Sequence, residues 1–164
     1  MRRLGIVLVA CLSIHLAWAA LDVPIDRQVT VFKKVLKFDQ SLPTDGGTRI
    51  LIVHEGNARL AGAMADAFTG AGFACDVVVA AAAAGALEKA QVAYFCPGTE
   101  DSAADFPAGL LTLCGSSGPV ERNNVAMGLE LVEGKPKLVV SLAAYNRCGH
   151  VIDSQVLALA KIIR

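Results

Sequence analysis

Seven polar residues crowd one short stretch near the end of the chain: Ser141, Asn146, Arg147, Cys148, His150, Asp153 and Ser154. A cysteine two positions from a histidine, with an aspartate close behind, has the residue types of a nucleophile, its base and an orienting carboxylate. The same types bind metals. Helix punctuation competes with both readings. Ser141 stands where a helix needs an N-cap, Gly149 where a left-handed C-cap is expected, and Asp153 or Ser154 where the next helix starts. Gly149 should end the helix between Cys148 and His150 and send their side chains apart, so the stretch reads as a structural bend.

A second constellation lies at the ends of three apolar runs: His54, Cys96 and Cys114. If those runs are neighbouring strands, the three could converge as metal ligands or as a Cys-His pair. No CxxC or HxxxH spacing supports either. Four cysteines follow the leader, Cys75, Cys96, Cys114 and Cys148. An even number in an exported chain allows disulfides in three pairings. Cys96 with Cys114 is the candidate pair, and free buried thiols acting as small hydrophobes are the alternative. Neither GxxxxGK[ST] nor GxGxxG occurs, so a phosphate-cradling loop is not expected. A phosphoacceptor receiver needs an aspartate where Cys96 stands and an acidic pair where Glu55 stands, so that chemistry is excluded.

The elements that must position these residues can be read from periodicity. Ile25, Val29, Phe32 and Leu36 recur at steps of three and four, which predicts an amphipathic helix over residues 25–41 with Lys33, Lys34 and Lys37 on its wet side. Arg49–His54 is an unbroken apolar run, the mark of a strand covered on both faces. Asn57 caps a second predicted helix through Gly70. Strands are expected at residues 76–79, 92–95 and 110–113, with a short helix on the Ala80–Ala84 run and a weak one over 101–107. Residues 126–132 and 136–142 form a hairpin pattern around Glu133-Gly134-Lys135. Ser141 to Cys148 reads as a helix. The last helix then carries Val156, Leu159 and Ile163 as its buried stripe. This alternation predicts an α/β fold, a three-layer α/β/α sandwich whose mostly parallel sheet finishes in a C-terminal antiparallel edge hairpin.

Arg2 and Arg3 precede an apolar run to Trp18, and Ala17-Trp18-Ala19 offers a cleavage site, so residues 1–19 are expected to be an export signal, with an uncleaved anchor as the alternative. Residues 20–164 suit one domain that does not span a membrane. Removing the leader takes away two of the 15 basic residues and none of the 15 acidic ones. The near-neutral remainder has no basic face beyond Lys33-Lys34-Lys37, which argues against nucleic acid as partner.

The C-terminal half resembles the YfiR family. Lys137-Leu-Val-Val-Ser-Leu-Ala-Ala followed by Ser154-Gln-Val-Leu-Ala-Leu-Ala is similar to that family's strand, Asn-Leu-Ala-Ala helix and closing Ser-Ser-x-Leu-Leu-x-Leu-Ala helix. Val125–Leu129 corresponds to its Gly-Met-Ile-Gly run, Leu111-Thr112-Leu113 to its short strand before a Gly-rich loop, and Val31–Phe38 to its first helix. The resemblance implies a periplasmic regulatory protein that modulates a membrane-bound signalling enzyme, a diguanylate cyclase or a sensor kinase, by contact with the part facing the periplasm. Cyclic di-GMP output then follows the state of the envelope. The alternative is a small-ligand binding component of an envelope transport system.

No catalytic residue, cofactor or metal is expected, and a homodimer is. The expected partner surface comprises Phe32, Leu36 and Phe38 on the first helix, with Phe106, Tyr145, Arg147 and His150, since aromatics and Arg are enriched at hot spots. Core packing is the competing role for each aromatic.

Overall fold

A computed structural model describes residues 21–43 and 47–164. The predicted leader lies outside the described residues. The elements run α1 (Ile25–Leu36), β1 (Arg49–His54), α2 (Ala58–Gly70), β2 (Ala74–Val79), a 3-10 run (Ala80–Lys89), β3 (Val92–Phe95), a second 3-10 run (Glu100–Asp105) and β4 (Leu111–Cys114). Then come α3 (Gly118–Glu121), β5 (Met127–Val132), β6 (Lys135–Ser141), α4 (Leu142–Cys148), α5 (Ser154–Leu159) and β7 (Lys161–Ile163).

The seven strands form one sheet in the order β2-β1-β3-β4-β5-β6-β7. All neighbours are parallel except β5 and β6, the antiparallel hairpin, in which Met127 faces Val140 and Val132 faces Lys135. Each strand feeds two cores because successive side chains alternate. Ile50, Ile52, Val92 and Tyr94 face the layer of α1, α2 and α5, while Leu51, Val53, Ala93 and Phe95 face the 3-10 runs and α3. The expected three-layer sandwich is therefore the observed one.

The predicted caps hold. Asn57 accepts from Leu60 N, Ser141 from Ala144 N and Asp153 from Gln155 N, and Gly149 closes α4 at φ 70°. Each satisfies a helix-end group that has no partner within its helix.

Two expectations fail at the chain's end. The last helix stops at Leu159, and Lys161–Ile163 becomes a strand parallel to β6, with Val139 opposite Lys161 and Ser141 opposite Ile163. The hairpin is thus interior, and β7 is the edge. Ile162 packs into one core and Ile163 into the other, the alternation of a strand and not a helical stripe. Leu159, placed on the predicted buried stripe, is instead 81% exposed. Lys161 fastens this edge by pairing with Glu130 at 2.9 Å and Glu121 at 3.1 Å.

Candidate functional site

The cysteine and histidine constellations do not assemble. Cys96 packs in the core beneath α1 and α2, Cys114 in the core on the opposite face, and Cys75, Cys96, Cys114 and Cys148 are all free thiols. The candidate Cys96–Cys114 disulfide is corrected on that ground: side chains on opposite faces of a sheet cannot bridge. Burial, reinforced by the charge of Glu100, pushes the Cys96 thiol up to about 12. Burial raises Cys114 to about 12 as well, partly opposed by hydrogen bonding with Ser116. Thiolate, the reactive form, is suppressed at both. Among the described residues, no three His, Cys, Asp or Glu side chains group as metal ligands.

His150 turns away from Cys148, as the glycine bend required, and finds a partner 111 positions earlier in the chain. Its Nδ1 lies 2.7 Å from Asp39 Oδ2 and its Nε2 3.2 Å from the Gly109 carbonyl. Both side chains are shielded from solvent. Burial alone would lower the imidazole, but the Asp39 hydrogen bond and charge, with the Gly109 carbonyl, outweigh it and hold its pKa above the usual histidine range. The second Asp39 oxygen accepts from Ser41 N, and Ser41 Oγ accepts from Val151 N. Backbone bonds from Gln40 N to Val151 O and from Asp153 N to Phe38 O run alongside. The pair is a latch joining the segment after α1 to the loop between α4 and α5.

The expected partner surface is corrected in four places. Phe32, Leu36, Tyr145 and His150 are buried, Phe32 edge-on to Tyr94 with ring centroids 6.3 Å apart. Phe106 is half-buried and stacks edge-on against Phe95 at 4.9 Å. Arg147 is exposed and donates to the Asn123 carbonyl. Of the aromatics in the expected surface, Phe38 alone is exposed, at 48%.

Phe38 opens onto a groove of about 550 Å³ that the sequence did not reveal. One wall is α1, through Val31, Lys34 and Val35 on a single helical face, continued by Phe38 in the turn that follows, since the helix expected to reach residue 41 ends at Leu36. The other is the hairpin, through Val132, Lys135, Pro136, Lys137 and Leu138, with Glu133 at the turn; Val156 and Leu159 of α5 complete the lining. Arg27 on α1 donates to the Gly134 carbonyl at 3.1 Å, which ties the helix to the hairpin turn. The lining is apolar with charge at the rim. Phe38, Val132 and Leu159 are among the most exposed large apolar residues described. The available signals were Val31, an apolar residue off the predicted stripe of α1, and Lys34 beside it.

No protein-family model and no curated protein sequence matches the chain. Solved structures share its fold, two of them as follows. A conserved domain protein from Vibrio cholerae O1 biovar El Tor is similar over 86% of this chain, at 18% identity and a TM-score of 0.61. An ABC domain in complex with L-Trp from Streptococcus pneumonia is similar over 86% of this chain, at 12% identity and a TM-score of 0.60. The chain spans 60% of the length of each. At such identities the likeness is one of fold.

Proposed function

We propose that this is a periplasmic regulatory binding protein that modulates a membrane-bound signalling enzyme, a diguanylate cyclase or sensor kinase, by protein-protein contact. The observation that carries the reading is the groove between α1 and the hairpin. Phe38, Val132 and Leu159 are exposed together there, and clustered apolar exposure on a soluble domain marks an interaction site. The YfiR-like motifs of β6, α4 and α5 support it from the sequence. The buried thiols of Cys96 and Cys114 and the His150–Asp39 latch favour binding over chemistry, since neither presents a reactive atom to solvent. Deleting the gene should change cyclic di-GMP levels or kinase output in intact cells, and crosslinking should recover a membrane partner. Unaltered signalling with no partner recovered would refute the reading.

A second reading, a small-ligand binding component of a transport system, is favoured by one observation: a groove of about 550 Å³ falls within the size range of small-molecule sites. The similar Streptococcus structure holds L-Trp. A thermal shift with L-Trp, in the absence of any protein, would support this alternative.

A further inference from the structure

Three lysines border the groove: Lys34 on the α1 wall, Lys135 and Lys137 on the hairpin wall. Among the described residues, none of them is ion-paired, whereas Arg49, Arg122 and Lys161 all pair with carboxylates. Glu133 is the one acid in the lining. An apolar floor between two cationic banks selects its occupant. A second copy of this chain docking groove to groove would bring like charges together, because a two-fold contact uses the same patch twice. An anionic amphiphile carries its charge at one end, whereas here lysines stand on two banks that face each other across an open cleft.

From this we infer that the groove receives an amphipathic helix of another protein, its apolar face against Val35, Phe38 and Leu138 and its acidic flanks against Lys34, Lys135 and Lys137. Helix-in-groove recognition lays the i, i+3, i+4 and i+7 anchors of the bound helix into an apolar groove, and Val35, Phe38 and Leu138 supply such a floor. Complementary charge on both banks fixes the helix's rotation and speeds its capture, while the apolar floor holds it. The inference rests on the binding reading proposed above and names the chemistry of its partner.

The probe is a designed peptide of ~18 residues, about five helical turns, with a leucine stripe flanked by glutamates, and a control in which lysines replace the glutamates. Fluorescence anisotropy with the protein expressed from its full-length gene should show the acidic peptide binding and the basic one not. Rising salt should weaken the acidic complex. The triple variant Lys34→Glu, Lys135→Glu, Lys137→Glu should lose the acidic peptide by about tenfold or more and gain the basic one. Those side chains are unpaired on the surface, and circular dichroism verifies that the variant folds. Equal binding of both peptides, failure of the reversed pair, or binding of palmitate in place of either peptide would overturn the inference. The two readings separate in cells. If deletion alters signalling and the triple variant behaves as wild type, the regulatory function stands and the groove assignment falls. If deletion changes nothing while the acidic peptide binds, the reverse holds.

Discussion

Replacing Asp39 by alanine removes the partner of a histidine that stays buried. The pair is 2.7 Å apart and sealed from solvent, and the lost carboxylate also abandons Ser41 N, 2.9 Å from Oδ1. Breaking a buried pair by deleting one member costs about 3–5 kcal/mol, because the desolvated survivor has nothing to interact with. For a domain of this size each kcal/mol moves the melting midpoint by about 2–4 °C, so Asp39→Ala should melt at least ~6 °C below wild type. Asp76→Ala is the control, since its pair with Arg49 is also 2.7 Å long but stands in solvent, and exposed pairs contribute about 0–1 kcal/mol. Urea unfolding followed by circular dichroism gives both values. Asp39→Asn isolates the charge, because an amide keeps the hydrogen-bonding shape. His150 has a raised pKa in the fold, so the charge-assisted part of the pair is fully present below the unfolded histidine value, about 6.5, and is lost as pH rises through the higher folded value. The gap between wild type and Asp39→Asn should therefore narrow with rising pH. A gap that widens, or an Asp39→Ala cost no larger than that of Asp76→Ala, would refute the latch.

Other expected outcomes follow from close packing and burial. A methyl group at Gly128 would collide with the Ser116 carbonyl and lie 2.7 Å from Val120 Cγ2, so Gly128→Ala should lose about 2–3 kcal/mol by urea titration; a neutral result would mean that β5 and α3 can separate freely. Ser141→Ala removes both the cap on Ala144 N and the hydroxyl bonded to Asn123 Oδ1, for an expected loss of about 1–2 kcal/mol. Among the described residues Cys75 is the one partly exposed thiol, so Ellman's reagent on the native protein should label it ahead of Cys96, Cys114 and Cys148. Rapid labelling of Cys96 or Cys114 at neutral pH would contradict their burial.

The centre of the sheet was legible in the sequence because β1, β3 and β4 are short, largely apolar runs covered on both faces. Asn57, Ser141, Asp153 and Gly149 announce local geometry that neighbouring residues alone determine. The chain's end was not legible, because residues 156–163 satisfy a helical stripe and a strand alternation about equally. Pairing with β6 decides between them, and that is a tertiary contact. The Asp39–His150 latch joins residues 111 positions apart, beyond the reach of any local pattern. Phe32 and Leu36 were placed on a binding face when they are the face that α1 buries, and Tyr145 and His150 went the same way. An amphipathic helix shows which residues are apolar without saying which of them the core has room for. Val31, left off the predicted stripe, stayed available to the groove.

The groove draws one bank from α1, near the start of the folded domain, and its other surfaces from residues 132–159. Synthesis therefore delivers one bank before the central strands and the other after them. A product cut short before residue 132 could place the central strands β1, β3 and β4 side by side and yet would have no cleft at all. The cleft is complete only once residues 132–159 have joined α1, so a copy truncated before them lacks one of its two banks.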